Sequence, residues 1–107
     1  MASLSEISIK NNRLSDITGI CNSVRELHLE DNELGSSWDV NSNVMSTLEN
    51  LEVLDLSLNQ INVLDAGLFA KMLQLQRLYL NFNSVDSFPG GLFVNNKNLK
   101  ILSIAHN

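Results

Sequence analysis

Apolar residues and asparagines recur along this chain in one frame, L-x-x-L-x-L-x-x-N-x-L, in which other apolar residues can replace leucine. The clearest copy runs from Leu51 to Ile61 and has its asparagine at Asn59. The other copies comprise Leu4, Ile7, Ile9, Asn12 and Leu14; Val24, Leu27, Leu29, Asn32 and Leu34; Leu75, Leu78, Leu80, Asn83 and Val85; and the incomplete set Leu99, Leu102, Ile104 and Asn107. Successive copies start 20, 27, 24 and 24 residues apart, a period that indicates supersecondary units stacked on one another.

The alternation of apolar positions within each copy predicts one short β-strand per copy. Successive side chains of a strand point to opposite faces, so the middle apolar residues of the frame face one side and their neighbours face the other. A single copy buries too little apolar surface to fold alone, so the strands should pair in parallel with the return segments stacked behind them. We therefore predict one domain, an α/β solenoid with a parallel sheet on the concave face and short helical or irregular segments on the convex face. Its coils comprise residues 4–23, 24–50, 51–74 and 75–98, with a partial coil at 99–107.

The asparagines of the frame are expected to lie above one another, one in each coil. They are Asn12, Asn32, Asn59, Asn83 and Asn107. At the turn that leaves each strand, backbone N–H and C=O groups point inward and need partners. A side-chain amide carries both a donor and an acceptor and can satisfy them. We interpret these residues as an internal structural ladder and not as a catalytic site.

The two 24-residue coils also share a Gly-Leu-Phe sequence at matching places. Its phenylalanines, Phe69 and Phe93, are expected to stack on the convex side as a packing device. Asn96 stands where two other coils have Leu48 and Met72. We expect its amide to bond to the backbone or to face the solvent.

Three features of the first two coils give further expectations, and two of them allow an alternative. The run 43–49 has the apolar spacing of a short helix that would cover the sheet. Trp38, the only tryptophan, is either a lid over the core or an exposed binding anchor, and we favour the lid. Cys21 is expected to be a small buried hydrophobic residue, and the alternative is a reactive thiol.

The outward residues of the five predicted strands form a small grid on the concave face. Its rows are Glu6, Glu26, Val53, Arg77 and Ile101; Ser8, His28, Asp55, Tyr79 and Ser103; and Lys10, Glu30, Ser57, Asn81 and Ala105. Tyrosine and arginine are enriched among the residues that dominate binding energy. We therefore predict a protein-binding face with the following members: His28, Asp55, Arg77 and Tyr79 at its centre, and Glu26, Glu30, Val53, Ser57 and Asn81 around them. The alternative is that these are ordinary solvated positions.

Charge and composition narrow the class of ligand. The formal net charge of −5 and the pI near 4.7 argue against a nucleic-acid surface, because phosphate binding needs a basic patch. Eight acidic residues and one arginine between Val24 and Asp55 would either attract a basic partner or only keep this half soluble. One cysteine and two widely separated histidines give no zinc-binding spacing, so we predict no metal site and no cofactor. No apolar run is long enough to cross a bilayer.

With this frame recurring in phase over essentially the whole chain, the sequence resembles the leucine-rich repeat family. The 24-residue coils are most similar to the subclass found in Toll-type receptor ectodomains, neuronal adhesion proteins and insect leucine-rich immune factors. This resemblance implies a right-handed coil and a role in protein recognition outside the cell or at its surface. The 20-residue first coil is closer to short intracellular repeats, and capping cysteine clusters are absent, so an intracellular adaptor or regulatory scaffold is the alternative.

Two further expectations concern catalysis and self-association. His28, Asp55 and Ser57 are the residue types of a hydrolase triad, but an open sheet offers no oxyanion site or water-excluding pocket, so we expect no enzyme activity. Neither end of the chain has the polar cap that usually closes a repeat array. We therefore expect the chain to be part of a longer array, with ends that favour end-to-end association.

Overall fold

A computed structural model describes residues 6–8, 24–34, 48–64 and 66–107 of the chain. In these residues the backbone forms five three-residue strands: β1 (Glu6–Ser8), β2 (Glu26–His28), β3 (Val53–Asp55), β4 (Arg77–Tyr79) and β5 (Ile101–Ser103). All neighbours pair in parallel, and the strands follow one another in the sheet in chain order. Stacked coils produce this topology, so the predicted solenoid is confirmed.

The strands pair in the register that the repeat frame predicts. Leu54 of β3 lies opposite Leu27 of β2 on one side and opposite Leu78 of β4 on the other. A slip of one residue would turn every core leucine of a strand to the solvent. The cost of exposing these leucines strongly favours the observed register. The pairing continues past the strands, since the Leu56 N–H donates to the Tyr79 carbonyl at 2.8 Å.

The core lies between the sheet and the return segments, and the apolar residues of the frame form most of it. Its fully buried members include Leu27, Leu29, Leu34, Leu51, Leu54, Leu56, Ile61, Leu75, Leu78 and Leu80. Burying one such side chain contributes about 1.5–3 kcal/mol. The periodic leucines therefore provide the main stabilisation of the stack.

The return segments on the convex side are turns in the third and fourth coils, at residues 66–71 and 90–95. The rings of Phe69 and Phe93 stack there, with centroids 5.9 Å apart and planes 8° from parallel, which confirms the predicted pair. Phe88 packs on Phe93 at 6.2 Å and 44°. The contact of Phe69 with Phe93 joins the two return segments, and the contact of Phe88 with Phe93 lies within the fourth coil.

Four residues that directly precede frame asparagines have a left-handed backbone. They are Asp31, Leu58, Phe82 and His106, with φ between 56° and 60°, and we call them the left-handed row. This conformation costs roughly 1–2 kcal/mol for a residue other than glycine. It recurs at one point of each described turn, and the asparagine that follows is buried in the second, third and fourth coils.

Some expectations fall on residues outside the described ranges. These are the ones for Lys10, Asn12, Cys21, Trp38 and most of the helix predicted over 43–49. The described end of that run is not helical, because Leu48 is followed by a turn in which the Leu51 N–H donates to the Leu48 carbonyl at 3.3 Å. In the part of the chain that is described, no helix has the length and apolar character needed to span a membrane.

Candidate functional site

The outward side chains of β2, β3 and β4 form a continuous face on the concave side. In each of these strands the middle residue is buried and the two flanking residues are half-buried or exposed. Register places Val53 beside Arg77 and Asp55 beside Tyr79. Neighbouring strands lie about 4.8 Å apart, so one partner can contact several strands at once.

The acidic end of this face starts at β2. Glu26 lies beside Val53, and His28 lies beside Asp55. The structure therefore brings six of the predicted residues into two adjoining rows: Glu26, Val53 and Arg77 in one, and His28, Asp55 and Tyr79 in the other. Glu30, just after β2, is half-buried.

The predicted residues that follow β3 and β4 hold the turns together. The Asp55 Oδ1 accepts a hydrogen bond from the Ser57 N–H at 2.9 Å, and the Ser57 Oγ accepts one from the Asn81 N–H at 3.1 Å. The Asn81 Oδ1 accepts from the Ala105 N–H and from the Ser103 hydroxyl, both at 2.8 Å. Ser57 is only 8% exposed, so we leave it out of the contact surface proposed below.

A cluster of charged groups surrounds His28. Its Nε2 lies 3.3 Å from Glu26 Oε1 and 3.7 Å from Glu6 Oε1. Glu30 and Asp55 also each bring a carboxylate oxygen to within 4.8 Å of a His28 ring nitrogen. We call Glu6, Glu26, His28, Glu30 and Asp55 the His28 cluster.

The residue types of a hydrolase triad do not form one here. A serine nucleophile needs a base within hydrogen-bond reach of its hydroxyl, about 2.6–3.2 Å. In the described part of the chain, no hydrogen bond joins Ser57 to His28, and the Ser57 Oγ accepts from the Asn81 backbone instead. The three side chains therefore give no support to a catalytic interpretation.

The frame asparagines lie inside the coils and join each coil to the one before it. The Asn59 Nδ2 donates to the carbonyls of Leu56 and Ser57 in its own coil and to that of Leu29 in the preceding coil, at 3.0–3.1 Å. Its Oδ1 accepts from the Leu34 N–H at 3.0 Å. One amide thus satisfies backbone groups of two adjacent turns.

The other described frame asparagines make related contacts. The Asn83 and Asn107 Nδ2 groups donate back to the Leu56 and Leu80 carbonyls at 2.9 and 2.8 Å. Their Oδ1 atoms accept from the N–H groups of Ile61 and Val85, both at 3.1 Å. Asn32 donates to the Leu29 carbonyl at 3.0 Å.

A second row of amides on the convex side was not predicted as a row. Asn95, Asn96 and Asn98 donate from Nδ2 to the carbonyls of Ala70, Phe69 and Leu73, at 3.0–3.3 Å. Asn96 also donates to the Met72 carbonyl at 2.9 Å, so the expected backbone bonding of this residue is confirmed. The repeated asparagines in 95–98 were the available signal, but only Asn98 has an asparagine at the matching place of another coil, Asn50, so the row does not recur in the frame.

Comparisons with known proteins agree with this architecture. The family model described as "Leucine rich repeat" matches residues 22–85. A solved structure of an LRR protein from Leptospira interrogans superposes with a TM-score of 0.81 at 29% sequence identity. The alignment covers 97% of this chain and 26% of that one, so this chain spans about a quarter of the length of its structural relative. No curated protein sequence matches the chain.

Proposed function

We propose that this chain, which belongs to the leucine-rich repeat family, recognises a protein partner through the concave face of β2, β3 and β4. Domains of this family generally mediate protein–protein interactions. The observation that carries the proposal is the in-register pairing that sets Arg77 beside Val53 and Tyr79 beside Asp55 on the outward face of the sheet.

The composition of this face supports a macromolecular partner. Arg77 is exposed and Tyr79 is half-buried, so an arginine and an aromatic ring are presented from one strand. Val53 adds apolar surface on the neighbouring strand, and Ile101 of β5, which is 42% exposed, adds more on the other side of Arg77. Such a mixture of aromatic, arginine and apolar side chains is typical of the centre of an interface. An open sheet face suits a protein surface better than a small molecule, which is usually held in an enclosed pocket.

The flanking charges favour one class of partner. Glu26, Glu30 and Asp55 make the β2 side of the face acidic around His28, and Asn81 on the β4 side is uncharged. An acidic field raises the association rate of a basic partner. This increase in rate becomes smaller as the ionic strength rises. The proposed partner is therefore a protein whose contact surface has basic residues at one end and an apolar centre.

The 24-residue coils favour a secreted or cell-surface protein, and an intracellular adaptor that uses the same face is the alternative. The flanking coding sequence discriminates between these. A signal peptide and capping cysteines in the parent protein would support the extracellular assignment. Their absence from the complete parent sequence would support the intracellular one.

The concave-face proposal is tested with paired variants. The partner is first captured on the intact chain, and its affinity is then measured by calorimetry for Arg77→Ala, Tyr79→Ala and the convex control Lys97→Ala. Truncating a dominant interface residue costs 2 kcal/mol or more, so we expect about thirtyfold weaker binding for Tyr79→Ala and no change for Lys97→Ala. Unchanged affinity in both concave variants would overturn the proposal.

A further inference from the structure

Four carboxylates of the His28 cluster surround one imidazole on the acidic end of the concave face. Glu6 and Glu26 are direct neighbours across β1 and β2, and each brings Oε1 close to the His28 Nε2. Glu30 and Asp55 form a second set of three possible ligands with the same histidine. Two groups of carboxylates, one from β1 and β2 and one from β3 and the end of β2, thus share one imidazole.

Among the residues that the structure describes, no lysine or arginine forms an ion pair with a carboxylate of this cluster. In the described residues, the ion pair of a carboxylate with such a side chain is that of Arg25 with Glu52, at 3.0 Å, outside the cluster. Like charges directly opposite each other on neighbouring strands are destabilising, and this is the arrangement of Glu6 and Glu26. A cation bound between these carboxylates would reduce their repulsion.

Glu30 provides an independent indication. Its Oε1 is buried and has no hydrogen-bond partner in the described part of the chain. The Glu30 carboxylate also lies within 4.8 Å of possible ligand atoms of His28 and Asp55. A buried carboxylate oxygen without a partner is costly, and the positive charge of a cation held at His28 would lower that cost.

The distances at His28 lie close to those expected between the ligand atoms of a metal site. Zinc bonds to imidazole nitrogen and carboxylate oxygen measure about 2.0–2.2 Å, so ligand atoms on neighbouring corners of a tetrahedron lie roughly 3.3–3.6 Å apart. The His28 Nε2 lies 3.3 Å from Glu26 Oε1 and 3.7 Å from Glu6 Oε1. Imidazole nitrogen favours a transition metal over calcium or magnesium, which prefer oxygen ligands.

We propose that Glu6, Glu26 and His28 bind one divalent transition-metal ion, with zinc as the best fit, and that Glu30 and Asp55 lie beside the same imidazole and add negative charge. Three protein ligands leave the fourth tetrahedral position to water or to a group of a partner. Sequence spacing of cysteine and histidine did not predict this site, because strand pairing supplies carboxylates 20 residues apart from adjoining coils. The proposal does not depend on protein recognition by the same face.

The test uses the chain alone, freed of metal with a chelator and titrated with zinc chloride by calorimetry. We expect one zinc ion per chain, and an affinity at least tenfold lower for His28→Ala and for Glu26→Gln. His106→Ala and Glu52→Gln are the matched controls, since both residues lie outside the cluster, and we expect them to bind zinc as the wild type does. Circular dichroism establishes whether each variant is folded. If His28→Ala does not fold, Glu26→Gln still tests the site.

A second measurement identifies which histidine binds zinc. The chain has two histidines, so imidazole NMR signals are assigned with His106→Ala, and we expect zinc to shift the His28 signals and leave those of His106 unchanged. Equal binding of magnesium, unchanged affinity in His28→Ala, or no saturable zinc binding would each overturn the site. Binding of an arginine-rich peptide without zinc binding would also overturn it, and would assign the cluster to a basic protein partner.

Discussion

The imidazole ring of His106 stacks on the phenyl ring of Phe82, with centroids 4.5 Å apart and planes 11° from parallel. Both residues belong to the left-handed row, and they occupy the same point of successive turns. Phe82 is 51% exposed, so this stack lies at the surface and not in the core. A repeated backbone conformation thus places side chains of successive coils in contact.

Leu58 of the left-handed row gives the first prediction. Replacing a leucine that is 48% exposed with asparagine loses about 1 kcal/mol of apolar burial, because full burial contributes about 1.5–3 kcal/mol. Asparagine tolerates the left-handed conformation, and the relief of roughly 1 kcal/mol offsets that loss at φ 56°. We expect Leu58→Asn to change the free energy of unfolding by less than about 0.5 kcal/mol in urea denaturation.

Leu73 is the matched control for this prediction. It is 55% exposed against 48% for Leu58, and it is not among the described residues with positive φ. Leu73→Asn gains no strain relief, so we expect it to cost about 1 kcal/mol. Equal losses in the two variants would show that the left-handed backbone at Leu58 stores no strain.

The ladder asparagine Asn59 gives the second prediction. Asn59→Ala removes the donor to three carbonyls and the acceptor for the Leu34 N–H. Leaving buried backbone groups unsatisfied costs about 1–3 kcal/mol, and we expect a loss near the upper limit in denaturant unfolding.

Asn95→Ala is the control with the same change of side chain. The Asn95 amide is exposed and donates once, to the Ala70 carbonyl at 3.3 Å. Water can replace that bond, so we expect a loss below about 0.5 kcal/mol. A loss as large as that of Asn59→Ala would contradict the assignment of the main cross-coil hydrogen bonding to the frame asparagines.

The sheet and its register could be predicted because the same physical constraint acts in every coil. A frame leucine such as Leu54 has to face the core, and the strand period of two then determines where Asp55 points. The left-handed row was not predicted, since leucine and phenylalanine rarely adopt positive φ and give no signal for it. Burial of Ser57 was missed because it depends on a hydrogen bond from the next coil.

Phe69 gives the third prediction. It is fully buried and stacks on Phe93, whereas Phe82 is half exposed and stacks on His106. Phe69→Ala should lose about 3–5 kcal/mol, the cost of truncating a core aromatic residue. Phe82→Ala is the matched control and should lose about 1 kcal/mol, since it forfeits one exposed stacking contact. Similar losses in thermal or urea unfolding would contradict the convex stack as part of the core.

The last prediction concerns self-association through β5. Leu102 and Ile104 are 39% and 38% exposed, whereas the equivalent Leu78 and Leu80 of the preceding coil are fully buried. In the described sheet β5 pairs with β4 on one side, and its other edge presents unpaired backbone groups beside these apolar side chains. A strand of another chain can pair with such an open edge through backbone hydrogen bonds. For a protein that consists of residues 1–107 alone, we expect light scattering to give a molar mass that rises above 11.9 kDa with concentration.

A lysine at this edge should block that association, because pairing would bury its charge. We expect Leu102→Lys or Ile104→Lys to restore the monomer mass, with circular dichroism establishing that the variants are folded. Val63→Lys is the control, because Val63 is 71% exposed and lies outside the β5 strand. A constant wild-type mass of 11.9 kDa at every concentration would contradict association, and a dimer that persists in both edge variants would place the contact elsewhere.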